Sequence, residues 1–200
     1  MDDVLDKKLE DAVWIARTLS ATGKVTGSTA NMSFRHGKSI FITGTGTSFS
    51  RLCPEDFAEV SPEGDVMGPV KPSKELTLHS MLYSNDDSIQ AVIHTHSFYS
   101  TLWSCLEHPD ASDVIPEYTP YLKMKLGRIV LVPYGKPGSS ELFAFFRDSL
   151  TETKGYLLQN HGPIVGHSDL LSAYYALEEL EESARIAWHL RGEQAKRIQT

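Results

Sequence analysis

Two histidines one residue apart, His94 and His96, close the apolar run Gln90-Ala91-Val92-Ile93, with Glu75 upstream and Asn160-His161-Gly162 downstream. In an extended strand, residues two apart project from one face. His94 and His96 can therefore aim both imidazoles at one point while Ile93 and Thr95 face the other way. Neutral imidazole is a favoured zinc ligand, and three protein nitrogens that leave a coordination position free are the pattern of a catalytic rather than a structural zinc site. His161 is the natural third nitrogen. The competing reading is of histidines satisfied or exposed at a strand end with no metal between them, and the pair alone does not separate the two. His36, His79, His108, His167 and His189 fall in loops or on predicted helices and read as surface or partly buried polar residues.

The elements that must position these residues follow from apolar spacing and turn chemistry. Val4 to Thr22 carries Leu5, Leu9, Ala12, Val13, Ala16 and Leu19 at helical intervals, and Gly23 stands where a C-terminal cap belongs. A small, polar segment with Ser28 leads into a short strand at Met32 to Arg35. The turn His36-Gly37-Lys38 then predicts a hairpin with Ser39 to Thr43. The loop Gly44-Thr45-Gly46-Thr47-Ser48 has small residues whose amides could approach an anion, although plain turn chemistry is the commoner reason for a glycine-containing loop after a strand. Pro54 to Phe57 reads as a turn or short helix, Ala58 to Val60 as a strand and Ser61 to Asp65 as a tight turn.

Pro72-Ser73-Lys74-Glu75 opens a helix on which Leu76, His79, Leu82 and Tyr83 share a face, with Ser73 as its cap and Glu75 in its first turn. From position alone, a carboxylate there is more often a surface residue complementing the helix dipole. A helix is expected from Ser97 to about Leu106, another segment from Leu122 to Leu126, and a buried strand at Ile129 to Val132. A helix from Gly138-Ser139 to about Leu150 precedes two strands, Gly155 to Gln159 and Gly162 to Gly166, which flank His161. Ser168 is the expected cap of a long final helix, Asp169 to Arg191, whose apolar Tyr174, Leu177, Leu180, Ala184 and Ala187 suit either a core or an interface. Hairpin-like connections predict an α/β fold with a mixed, largely antiparallel sheet covered by helices, in a single domain over residues 1–200.

Composition narrows the function classes. The 200 residues, 40% hydrophobic and 22% charged, fit one soluble folded domain. A formal net charge of −7 argues against a nucleic-acid surface, which needs clustered cations to neutralise phosphates. No apolar stretch is long enough to span a bilayer, and Met1-Asp2-Asp3 has none of the basic character of a secretory signal, so no membrane association and a cytoplasmic location are expected. Cys53 and Cys105 form no Cys-x-x-Cys pair, and Cys105, in an apolar stretch, reads as a small core residue. No Gly-x-Gly-x-x-Gly fingerprint follows a strand, which disfavours a nicotinamide cofactor.

The ordered set Ala30-Asn31, Thr45-Gly46, Pro72-Ser73-Lys74-Glu75, His94-Thr95-His96 and Asn160-His161-Gly162 resembles the class II aldolase/adducin family over nearly the whole chain. The resemblance implies the three-layer fold of that family, with Zn2+, or Mn2+ or Co2+ in its place, held by His94, His96, His161 and Glu75. It also implies that Glu75 acts as acid and base, and that Ser28, Asn31, Thr45, Gly46 and Ser73 bind the substrate and its phosphate.

Within the family the likeness is to decarboxylases of 3-oxo-tetronate 4-phosphates. It is carried by Lys71 to Glu75, by Thr119-Pro120-Tyr121 with Met124 and Gly127, by Val132-Pro133-Tyr134 with Pro137-Gly138, and by Glu178 to Glu182. Ser73-Lys74 stands where the fuculose-phosphate type has two serines, and Ala30 where it has glycine. The implied reaction releases carbon dioxide and dihydroxyacetone phosphate through a metal-stabilised enediolate, with Glu75 or Tyr121 supplying the proton. Lys74 is placed either on the phosphate or carboxylate of the substrate or in solvent. Two alternatives are an aldolase cleaving a ketose 1-phosphate such as L-fuculose 1-phosphate, and a non-catalytic adducin-like binding module. The resemblance further implies a homo-oligomer, a tetramer, with sites near subunit boundaries.

Overall fold

The computed structural model describes residues 2–198, so Met1, Gln199 and Thr200 lie outside the described residues, and with Met1 the start of the acidic N-terminus. Eight strands form one sheet: β1 (Asn31–His36), β2 (Ser39–Thr43), β3 (Phe57–Val60), β4 (Val66–Met67), β5 (Ala91–His94), β6 (Ile129–Val132), β7 (Gly155–Leu158) and β8 (Gly162–His167). Their spatial order is β4-β3-β2-β1-β5-β8-β7-β6. Every pair is antiparallel except β6 with β7, which makes the sheet mixed and largely antiparallel, as the connections implied.

Six α-helices cover the two faces among the described residues: α1 (Asp3–Ala21), α2 (Leu76–Asn85), α3 (Phe98–Ser104), α4 (Tyr121–Leu126), α5 (Ser140–Asp148) and α6 (Leu170–His189). The two-residue period of the strands divides the core. Met32, Phe34, Ala91, Ile93, Leu157 and Val165 pack with α1, α3, α4 and α6. Val92, Val130, Val132, Tyr156, Leu158 and Ile164 turn the other way and pack with Leu78, Leu82 and Tyr83 of α2 and with Leu142 and Phe146 of α5. Tyr174, Leu177, Leu180, Ala184 and Ala187 of α6 are all core residues. Burying each such leucine contributes roughly 1.5–3 kcal/mol.

Three local expectations are corrected. Ser168 does not cap α6: the cap is Asp169, whose carboxylate accepts from the Ser172 amide and so outcompetes a hydroxyl one residue too early. Cys105 is exposed because α3 stops at Ser104, which leaves the thiol outside the buried face and within reach of the Thr101 carbonyl. Ser73 does not cap α2. The isolated bridge Gly44–Pro72, with the Thr45 amide on the Lys71 carbonyl and the Ser73 amide on that of Thr43, holds residues 71–73 extended beside the end of β2. Helix α2 can therefore start only afterwards, with Glu75 at its N-cap and no side chain closing the cap.

Candidate metal centre and substrate cleft

Because Glu75 caps nothing, its side chain is free to turn inward, and it does. It is 5% exposed, which rules out the surface-carboxylate alternative. Strand β5 ends at His94, and Thr95 and His96 continue past it, so the His-x-His pair straddles a strand end instead of lying within one. His161 sits in the tight turn joining β7 to β8, where Asn160 adopts a positive φ of 55°. Gly162 brings the two segments together: a Cβ at this position would meet the Thr95 carbonyl oxygen at 2.3 Å and the His96 Cα at 3.2 Å. Only a residue without a side chain allows the turn to close on the pair.

The three imidazoles converge. Their ring centroids lie 4.7 to 5.1 Å apart, and one nitrogen from each falls within 4.8 Å of the others. His94 Nδ1 donates to the Pro163 carbonyl at 2.9 Å, which leaves Nε2 unprotonated. His94 Nε2 and His96 Nε2 are buried without a hydrogen-bond partner. Burial, reinforced by neighbouring imidazoles, pushes His94 and His161 down to about 3, and burial also lowers His96. Near neutral pH the cluster is thus three uncharged bases with lone pairs left over. Buried polar atoms are seldom left unpartnered, and this set has the chemistry of a divalent transition-metal site. Glu75 completes the donor set, with Oε2 3.4 Å from His94 Nε2 and Oε1 3.5 Å from His161 Nε2.

A cleft of about 330 Å³ opens over this cluster. Ser28, Asn31, Thr45, Gly46, Ser73, Lys74, Glu75, His96 and His161 all line it, which unites residues that the sequence scatters over more than half its length. Their availability differs. The amides of Gly44 and Thr45 are spent on the Asp56 and Lys71 carbonyls, so of the loop residues that line the cleft Gly46 alone keeps an uncommitted amide among the described residues. Ser73 Oγ accepts from the Glu75 amide at 3.3 Å and keeps its proton for a ligand. Lys74 is exposed at the cleft wall, its stem passing close to Gly138.

Two of the expected residues differ from the rest: Asn31 lines the cleft with its side chain already engaged, and Tyr121 lies away from it. Asn31 is largely committed within the protein, its Nδ2 donating to Glu75 Oε2 at 2.8 Å and its Oδ1 meeting His79 Nε2 at 2.6 Å. Tyr121 is not brought to the cleft. It is the first residue of α4 and 57% exposed, because α4 packs through Leu122 and Leu126 and turns the phenol outward.

Sequence reasoning missed His79. It is not at the surface but wholly buried, with both ring nitrogens bonded, Nδ1 to Ser33 Oγ and Nε2 to Asn31 Oδ1. Two patterns could have found it: Glu75, His79 and Tyr83 recur at four-residue intervals along one stripe of α2, and Asn31 and Ser33 alternate with apolar Met32 and Phe34 in β1. A helix stripe and a strand face that are both polar must face each other if neither faces water.

The model of the Class II Aldolase and Adducin N-terminal domain family matches residues 10–188 of the chain. A 3-oxo-tetronate 4-phosphate decarboxylase of Haemophilus influenzae is 35% identical over 98% of this chain and 93% of its own length. An L-fuculose phosphate aldolase of Methanococcus maripaludis is also 35% identical, over 89% of this chain and 94% of its own. Among solved structures, Escherichia coli YgbL, described as a putative aldolase/epimerase/decarboxylase, superposes with a TM-score of 0.94 at 33% identity, covering 98% of this chain and 96% of that one.

Proposed function

The chain belongs to the class II aldolase and adducin family. On that premise we propose that it is a metal-dependent carbon–carbon lyase of the cytoplasm, formed by one domain over residues 1–200. In this reading it decarboxylates a 3-oxo-tetronate 4-phosphate to dihydroxyacetone phosphate and carbon dioxide. The observation that carries the proposal is the trio of uncharged imidazoles with unspent lone pairs, set beside Glu75 on the floor of a cleft walled by hydroxyls, the Gly46 amide and Lys74.

His94, His96, His161 and Glu75 would hold a divalent cation, zinc by the nitrogen-rich donor set, with manganese or cobalt as substitutes. When bound, the cation supplies Lewis acidity that stabilises negative charge on the substrate's oxygens as a carbon–carbon bond breaks. The residues of the chain do the rest. Ser28, Gly46, Ser73 and Lys74 grip the phosphate, and Asn31 and Thr45 shape the wall beside it. Glu75 exchanges a proton with the substrate. As carbon dioxide departs, its bonding electrons remain on the adjacent carbon, which must then be protonated to give the product ketone. Tyr121 can take part only from a neighbouring protomer of the proposed homotetramer, since its own cleft does not include it.

The Methanococcus relative supports a second reading, retro-aldol cleavage of a ketose 1-phosphate such as L-fuculose 1-phosphate. In that reaction the same carboxylate would take the proton of the outgoing hydroxyl. Incubating the metal-loaded protein with each substrate type decides between them: carbon dioxide from the oxo-acid phosphate is the expected product, and an aldehyde from the ketose phosphate alone would transfer the assignment to the aldolase. Purified protein that takes up no stoichiometric divalent metal would instead favour a non-catalytic, adducin-like module.

A further inference from the structure

Behind Glu75 lies a file of buried hydrogen bonds that does not touch the cleft beyond Asn31. Tyr83 Oη meets Ser33 Oγ at 2.7 Å, Ser33 Oγ meets His79 Nδ1 at 2.7 Å, His79 Nε2 meets Asn31 Oδ1 at 2.6 Å, and Asn31 Nδ2 meets Glu75 Oε2 at 2.8 Å. Tyr83, Ser33 and His79 are at most 1% exposed, and Asn31 and Glu75 are 6% and 5% exposed. Arg35 closes the far end, donating to the Tyr83 carbonyl at 2.7 Å while its guanidinium lies 4.7 Å from the phenol ring centroid.

The direction of the file follows from donor and acceptor capacity. A carboxylate only accepts, so the amide nitrogen of Asn31 must face Glu75, and its carbonyl must face His79. His79 Nε2 therefore carries the proton. Burial keeps this ring uncharged, so Nδ1 is bare and accepts from the Ser33 hydroxyl, whose oxygen in turn accepts from the Tyr83 phenol. In the reverse sense the phenol proton would have no acceptor, and the Asn31 carbonyl would oppose the carboxylate.

We propose that His79 is a positioning residue for Glu75. The Tyr83–Ser33–His79 file locks the Asn31 amide in one orientation, reserves Glu75 Oε2 as a hydrogen-bond acceptor, and leaves Oε1 as the oxygen that exchanges a proton with substrate. The inference rests on Glu75 carrying a proton in turnover, but its structural half stands apart from any metal or substrate.

Histidine 15N labelling of the metal-free protein reads that half directly, with His79 assigned by its disappearance in H79Q. The expected state is protonated Nε2 with bare Nδ1; the opposite tautomer, or exchange between the two, overturns the proposal. Kinetics of the loaded enzyme read the other half. H79Q can donate to Asn31 and accept from Ser33 in the same sense, and it keeps kcat within about threefold, whereas H79L can do neither and loses about 10- to 100-fold in kcat at little-changed KM and metal content. An H79L enzyme with undiminished kcat, or a folded H79Q enzyme as impaired as H79L, overturns the proposal. Should H79L fail to fold, the tautomer and H79Q decide. A wild type that turns over neither substrate type would reject the lyase reading and leave the tautomer as the test of the file.

Discussion

His94 and His79 are both wholly buried, and by most measures they are alike. Each is 0% exposed, and burial pushes each down to about 3. What separates them is hydrogen-bond accounting. His79 has spent both ring nitrogens on protein partners, whereas His94 has spent Nδ1 and keeps Nε2 unpartnered beside two other imidazoles. Desolvation alone therefore marks a buried histidine and says nothing of its role. The uncommitted lone pair distinguishes a ligand from a strut, because leaving it unpaired is costly unless something from outside the chain completes it.

The sharpest way to break this contrast is to delete one member of each set. His94→Ala removes a nitrogen of the proposed donor set and is expected to weaken zinc binding well beyond the roughly 100-fold that loss of an outer partner costs. Turnover should fall to background, and competitive chelator titration checks the first effect. Unchanged zinc affinity in this variant would erase the distinction drawn between the two regions. Glu75→Gln keeps a neutral oxygen in the same place and removes the proton-carrying group. Its zinc affinity should suffer less than that of the alanine variant, while kcat drops about 10²- to 10⁴-fold; a glutamine variant with full turnover would show that the carboxylate carries no proton.

The two regions also differ in how far the sequence disclosed them. His94, His96 and His161 were readable because each lies at or just beyond the end of a strand, and those ends converge. The cleft hydroxyls came through the ordered motifs. Glu75 was expected in the first turn of its helix but stands at the N-cap, since nothing local reveals that Pro72 and Ser73 are tied to β2 and delay the helix start. His79 looked ordinary because its partners, Asn31 and Ser33, lie more than forty positions away in sequence, and the pairing emerges only when α2 is laid on β1. Cys105 was misread for the opposite reason: the short helix α3 has too few residues for apolar spacing to show which side faces out.

Acid titration sharpens the contrast for the committed region. An exposed histidine binds its proton near 6.5, while burial holds His79 down to about 3 in the folded chain. Between those values the unfolded state binds one proton more than the folded state, so this residue makes stability fall as pH drops from about 6.5 toward about 3. His79→Gln removes that titration. The stability of metal-free wild type, measured by denaturant unfolding, should therefore decline more steeply with falling pH than that of H79Q, by about 1.4 kcal/mol per pH unit once below 6.5. Parallel slopes would mean that His79 is already charged in the fold, against the burial that holds the ring uncharged.

The smallest effect belongs to a cation that neither region commits. Lys74 reaches the cleft from an exposed position with its charge in water, so a contact to a substrate phosphate or carboxylate there is screened and contributes at most about 1 kcal/mol. Lys74→Ala should accordingly raise KM for the oxo-acid phosphate up to about fivefold with kcat unchanged, an effect that shrinks as ionic strength rises. A fall in kcat instead would place the ammonium at the reacting carbon. The gradient running from buried lone pairs through a fixed carboxylate to a solvated ammonium would then no longer describe how this cleft divides binding from chemistry.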